Sequence, residues 1–173
     1  MSDTVAAPAE RTRTFEWSDP VESAKAGMRM SGLEYLRAMI AGELPGPPIA
    51  WTLDFTLAEV EEGRAVFTIN PAEFHYNPIG MVHGGVAATL LDSAMGCAVH
   101  TLLPAGVGYT TLEIKLNYLR AMTRDTGPVR AIGTVIHAGR TTALAEARLE
   151  DAAGKLLAHA TSTCMILRPE GRG

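Results

Sequence analysis

The chain has 173 residues, 47% of them hydrophobic, which suits one domain burying roughly 70% of its unfolded surface. Its 19 acids against 15 Lys and Arg give a formal charge of −4, and the basic residues do not cluster. That balance excludes the electrostatic footprint of a nucleic-acid binder.

Two cysteines, Cys97 and Cys164, form neither a metal spacing nor a disulfide framework, so a reducing compartment is expected. The opening stretch MSDTVAAPAERTRTFEW lacks the apolar core of a secretory signal. No apolar run reaches the roughly 18 residues that a membrane span needs, because Thr89, Asp92 and Ser93 break the best candidate. The expectation is a soluble cytoplasmic protein.

In chain order, Met1 to about Pro20 reads as a disordered lead-in, and 21–169 as one domain. Ser31-Gly32-Leu33-Glu34 has capping-box spacing, and Leu33, Leu36, Arg37 and Ile40 follow at helical intervals. Gly42, Pro45, Pro47 and Pro48 end that helix. Trp51, Leu53, Phe55 and Leu57 then alternate with polar residues, and Ala65 to Ile69 returns after a turn at Glu61-Glu62-Gly63. This predicts an antiparallel hairpin beginning near Trp51.

The stretch from Asn77 to His100 dominates the middle of the chain. Turn signals at Asn77-Pro78 and Gly80 lead into a glycine pair and then an almost unbroken apolar run. The run is too long for a strand and predicts a helix from about His83 to about Leu102, buried on most sides. Asp92 is the one acid within it. Four strand-like segments follow: Leu112 to Tyr118, Val129 to His137, Thr142 to Leu149 and Lys155 to Leu167. Two strands, a buried helix and four strands make an α+β pattern, a curled antiparallel sheet wrapped around a helix.

Ordinary chemistries drop out. No phosphate loop, dinucleotide fingerprint, nucleophile elbow or His-Glu-x-x-His pair occurs. The histidines at 75, 83, 100, 137 and 159 lack ligand spacing, so no metal is expected. What remains is Asn77, His83, Gly84 and Asp92. A helix opening at Gly84 leaves N–H groups without intrahelical partners, and these can hold the charge that develops on a carbonyl oxygen. Asp92 lies eight residues on, about 12 Å along the axis. One carbonyl cannot touch both groups of the same helix, so a joint action requires two subunits packed antiparallel. The plainer reading makes Asp92 a buried acid satisfied by Thr89 or Ser93, Asn77 a turn former, and Gly84 and Gly85 packing residues.

Asn77, the His83-Gly84-Gly85 triplet and Asp92, at intervals of six and nine, resemble the hotdog-fold acyl-CoA thioesterases of the PaaI type, the phenylacetate-pathway branch. Asn117-Tyr118-Leu119-Arg120, His137-Ala138-Gly139-Arg140 and Asp151 to Leu156 look like that family's strand landmarks, and the resemblance spans about Gly42 to Leu167. It implies a hotdog fold, here with an extra N-terminal helix, and a homodimer commonly doubled into a tetramer. It implies that Gly84 N–H, helped by Asn77, polarises a thioester carbonyl while His83 supports the turn. Asp92 of the facing subunit would act as nucleophile or as general base for water. A hydroxyl on the following strand would orient it. Counting back from Tyr118 favours Thr111, and counting forward from Asp92 favours Thr110. The coenzyme A phosphates would need cations, for which Arg120, Arg124 and Arg140 are candidates by charge alone. No resident cofactor is implied, since coenzyme A belongs to the substrate.

The expected activity is hydrolysis of aryl- or medium-chain acyl-CoA to free acid and coenzyme A. Within the same fold the alternative is an enoyl-thioester hydratase or dehydratase, with His83 as its base. Outside catalysis it is an acyl-CoA-binding domain. Tyr109, Tyr118, Met95 and Met122 would either line an aryl slot or fill core.

Overall fold

The computed structural model describes residues 10–169. Three short helices come first: α1 (Pro20–Gly27), α2 (Gly32–Ile40) and α3 (Pro48–Leu53). Helix α2 starts where the capping box predicts. Ser31 N–H donates to the Glu34 carboxylate at 2.9 Å, and Glu34 N–H donates back to the Ser31 hydroxyl at 3.3 Å. Helices α1 and α3 are additions to the expected single N-terminal helix. Ahead of α1, residues 10–19 hold no helix or strand, and Arg13 donates to the Trp51 carbonyl at 2.8 Å.

The hairpin begins later than the alternation suggests. Trp51 and Leu53 belong to α3, and β1 (Phe55–Glu61) starts only after Asp54 at φ 57°. The reason lies in the two prolines before it. Pro47 caps α3 and Pro48 fills its first position, where the fixed φ suits a helix and a missing N–H costs nothing. Asp54 in the left-handed region then ends the turn. Local backbone chemistry overrides a period-two pattern that was real only from Phe55.

The sheet has β2 (Arg64–Ile69), β3 (Gly108–Tyr118), β4 (Val129–Ala138), β5 (Thr142–Asp151) and β6 (Leu156–Leu167). Its six strands run β1-β2-β4-β5-β6-β3, every neighbouring pair antiparallel. Helix α4 (Gly84–His100) packs on its concave side, so the architecture is the expected curled sheet around a buried helix. Leu90, Leu91, Ala94, Met95 and Ala98 are fully buried along α4. Each large side chain among them contributes on the order of 1.5–3 kcal/mol by leaving water. Strand β4 crosses the helix at Gly133, where an added Cβ would sit 2.3 Å from the Ala94 carbonyl oxygen. Only glycine permits that approach.

Strand β3 ends the sheet with β6 as its single neighbour, and its apolar residues are left open in the protomer. Leu112 is 54% exposed and Tyr118 57%. A register shift between Thr111 and Glu113 puts Leu112 in an irregular step of the ladder.

Candidate active site

The loop entering α4 is held by its own polar groups. Asn77 Oδ1 accepts from Ile79 N–H at 3.1 Å and from Met81 N–H at 3.2 Å, with Gly80 at φ 80° completing the turn. Asn77 is therefore a turn former, as the plainer reading has it. Its carbonyl is committed to the loop, and the side-chain NH2 has no partner among the described residues. His83 is the N-cap of α4, its Nδ1 accepting from Gly85 N–H at 2.9 Å. With that lone pair engaged, the neutral ring carries its proton on Nε2. Gly84 N–H, by contrast, has no acceptor among the described residues. This donor lies at the end of the helix where the dipole favours negative charge.

Tyr118 closes over this end. Its hydroxyl donates to the Gly84 carbonyl at 3.0 Å, and a Cβ at Gly84 would lie 3.0 Å from the ring. The missing side chain is what lets the ring lie there.

Asp92 is half-buried in the middle of α4, on the wall of a cavity of about 1130 Å³. The Thr111 hydroxyl donates to Asp92 Oδ1 at 2.9 Å. Of the two threonines weighed from the sequence, Thr111 is the one bonded to the carboxylate. Neither of the plainer partners satisfies Asp92: Thr89 Oγ1 donates to the Gly85 carbonyl at 2.9 Å, within its own helix. Ser93 also lines the cavity, with no histidine bonded to it.

Tyr109, Cys97 and His100 continue the cavity wall along α4 and β3. Burial pushes the Cys97 thiol up to about 12, the neighbouring Tyr109 hydroxyl offsetting part of the rise. Such a thiol is no nucleophile at neutral pH. Burial likewise lowers the His100 imidazole below its usual range, so the ring is neutral. Met95 and Met122 are core, and Tyr118 sits on Gly84, so of the four aryl-slot candidates only Tyr109 lines the cavity.

The opposite wall comes from α2, α3 and their connection, including Tyr35, Met39, Ile40 and Trp51. Sequence reasoning missed these residues. The capping box announces α2, but nothing in its pattern says what the helix covers.

The three arginine candidates do not converge within one protomer. Arg120 donates to the Leu156 carbonyl, and Arg124 N–H donates to the Tyr76 hydroxyl at 2.9 Å, both near the entrance to α4. Arg140 lies in the turn between β4 and β5, where its carbonyl accepts from Arg168. The register of β3 with β6, Gly108 opposite Leu167 and Tyr118 opposite Ala158, puts these at opposite ends of the strand pair. That separation is roughly 30 Å. No group of His, Cys, Asp and Glu suited to a metal ion occurs among the described residues.

Comparison with known proteins fits this geometry. The Thioesterase superfamily profile matches residues 79–158, which include Gly84, Asp92 and Thr111. A protein of Saccharolobus solfataricus that carries an esterase name is 35% identical over 116 residues, 67% of this chain and 81% of its own. The 1,4-dihydroxy-2-naphthoyl-CoA hydrolase of Listeria monocytogenes is 32% identical over 116 residues, 66% of this chain and 90% of its own. A crystal structure from Ralstonia eutropha, titled as a thioesterase and phenylacetic acid degradation-related protein, superposes with a TM-score of 0.69 at 31% identity. It covers 76% of this chain and 98% of that one. About a quarter of this chain is therefore additional to that neighbour. No helix among the described residues is long and apolar enough to cross a membrane.

Proposed function

This chain belongs to the thioesterase superfamily and is a thioester hydrolase of hotdog fold, and on that premise we propose that its substrates are aryl- or medium-chain acyl-CoA thioesters, cleaved to free acid and coenzyme A. The observation that carries the reading is the Thr111–Asp92 hydrogen bond on the wall of a large, mainly apolar cavity. A carboxylate held in one orientation beside an acyl-sized space can take a proton from water or attack a carbonyl. The phenylacetate-type and naphthoyl-CoA relatives support an aryl or comparably bulky acyl group.

The reaction needs a donor for the thioester oxygen as well as the carboxylate. Gly84 N–H and the Asn77 side-chain NH2 are donors without a partner among the described residues at the start of α4, too far along the helix to serve the Asp92 of the same helix. We infer a homodimer in which the start of one α4 faces the Asp92 of the other. Support comes from β3, a long edge strand exposing Leu112, Ile114 and Tyr118. Such an edge invites pairing with a second copy. Antiparallel pairing of two β3 strands would also bring the Arg140 end of one protomer to the Arg120 end of the other, offering cations for the coenzyme A phosphates. A dimer of such dimers extends the same scheme. No resident cofactor enters it, and the free thiols Cys97 and Cys164 suit the cytoplasm.

In mechanism, Asp92 accepts the proton of an attacking water, or adds to the carbonyl itself, while Gly84 N–H and Asn77 hold the developing oxyanion. Collapse of the tetrahedral species expels the coenzyme A thiolate. On the water route Asp92 returns its proton to the sulfur. On the nucleophilic route water then hydrolyses the mixed anhydride left on Asp92 and supplies that proton. His83 stabilises the helix start that presents the donor. Its Nδ1 is spent on Gly85 N–H, which counts against the hydratase reading that needs a free histidine base.

The test is release of free thiol from a panel of acyl-CoAs by wild type beside Asp92→Asn. Turnover by wild type that disappears in the variant supports the reading. Undiminished turnover by Asp92→Asn, or tight acyl-CoA binding by wild type without turnover, overturns it. The absorbance of an enoyl-CoA separates hydration from cleavage.

A further inference from the structure

The cavity does not stop at Asp92. Asp92, Ser93, Cys97 and His100 all face it from α4, so it runs along the helix for eight residues, about 12 Å. The walls between its ends are apolar and aromatic, with Phe55, Phe67 and Tyr109 on the sheet side and Met39 and Ile40 on the helix side. The end away from Asp92 carries a polar group with nothing to bind. His100 is packed between Tyr35 and Tyr109, with ring centroids 5.8 and 5.5 Å away. Neither of its ring nitrogens has a hydrogen-bond partner among the described residues. Nor is either sealed off, because no side-chain nitrogen or oxygen among those residues is both inaccessible and unpaired.

An imidazole walled by aromatic rings, with no protein partner for either accessible nitrogen among the described residues, is available to bond a group that enters the cavity. Burial keeps it neutral, so it offers one donor and one acceptor. The cavity lining includes two carboxylates, Asp92 and an exposed Asp54 that lies 3.8 Å from Arg13, and no lysine or arginine. An anionic tail is therefore disfavoured there, and a neutral hydroxyl or phenol is suited.

We propose that His100 is a specificity-determining residue, reading a neutral hydrogen-bonding group at the far end of an acyl chain whose thioester lies at Asp92. The inference deepens the acyl-CoA reading and rests on it for the identity of the near end. Extended chain covers roughly 1.2 Å per bond, so about ten bonds span the cavity. That length corresponds to an ω-hydroxydecanoyl group. Tyr35 of α2, an element ahead of the profile-matched region, walls the His100 end of this slot.

The test compares decanoyl-CoA with ω-hydroxydecanoyl-CoA, and the two corresponding primary amides, which are neutral like the thioester, as ligands by calorimetry. Wild type is expected to favour the hydroxylated compound in both assays by roughly three- to tenfold, the worth of one hydrogen bond in a partly dry site. In His100→Phe the ratio of the two compounds falls to about one, and in His100→Gln part of it is regained. No preference in wild type overturns the proposal, and so does a preference that survives His100→Phe. The amide-binding comparison needs neither turnover nor a variant. A protein that cleaves neither thioester but prefers the hydroxylated amide would lose the acyl-CoA reading and keep this one.

Discussion

The Thr111 hydroxyl donates to Asp92 Oδ1 at 2.9 Å, tying the edge strand β3 to the central helix α4. The bond occupies one lone pair of the carboxylate and fixes its plane, leaving the other oxygen for water or substrate. Thr111→Val should lower kcat by about tenfold to a hundredfold with KM little moved, because orientation rather than binding is lost. Thr111→Ser should recover most of the rate. Thr110→Val, which touches no such bond, should be the milder change. Steady-state kinetics of the three variants decides it, and equal losses from Thr110 and Thr111 would remove Thr111 from its positioning role.

A site shared between subunits makes a quantitative demand. Asp92→Asn and Asn77→Ala homodimers should each be strongly impaired, the former by about a thousandfold if the carboxylate is a general base. Mixed dimers of the two variants contain one site with both changes and one with neither. Co-expression with two affinity tags should therefore return about half the wild-type activity per mixed dimer. Mixed dimers as inactive as their parents would put Asn77 and Asp92 on the same side of the reaction, contrary to the proposed geometry.

The legible parts of this chain were those written in local pattern. The α4 apolar run gave the helix within two residues at its C-terminal end, at His100 rather than Leu102, and the Ser31 capping box marked the start of α2. Spacing alone left Thr110 and Thr111 undecided. The irregular step in β3 after Thr111 lies between them and Tyr118, and residue counting cannot see it. Trp51 misled because period-two alternation carries no information about the prolines that begin α3. The cavity wall from α2 was invisible for a different reason. Which face of a short amphipathic helix meets α4 depends on the path of the intervening chain, and no residue type records that.

His83 contributes to stability through the cap. Its Nδ1 satisfies Gly85 N–H, one of the donors that a helix start leaves unpaired. His83→Ala should cost about 1 kcal/mol in urea unfolding, and His83→Asn, which can accept the same bond, should cost less. A His83→Ala variant with wild-type stability and abolished turnover would move the residue from support into chemistry.

Acid should weaken the fold through buried imidazoles. Burial lowers both His75 and His100 below the usual 6.5, so the unfolded chain takes up protons first as pH falls. Their contribution is intact above about pH 6.5 and is lost as pH drops through the depressed folded values. The urea midpoint should fall between about pH 7.5 and about pH 5, and fall less in His100→Phe, which has no proton to gain there. An identical decline in wild type and variant would show that His100 is not neutral and dry in the fold.

Gly133 is the most constrained contact between sheet and helix. A Cβ there would lie 2.3 Å from the Ala94 carbonyl oxygen and 2.8 Å from Met95 N, both backbone atoms of a fully buried helix turn. Strand β4 cannot retreat, because Gly133 is paired with Ala65 on one side and Ala147 on the other. Nor can α4 retreat without opening the layer of Leu90, Leu91 and Met95. Gly133→Ala should therefore destabilise by at least about 3 kcal/mol, beyond ordinary overpacking, where the clash usually meets a side chain that can turn away. Gly46→Ala is the matched control, with nothing within 4 Å of its added Cβ. It should stay within about 0.5 kcal/mol of wild type. Urea midpoints of the pair make the comparison. A well-folded Gly133→Ala of near-wild-type stability would mean that α4 and β4 are not in contact at this point.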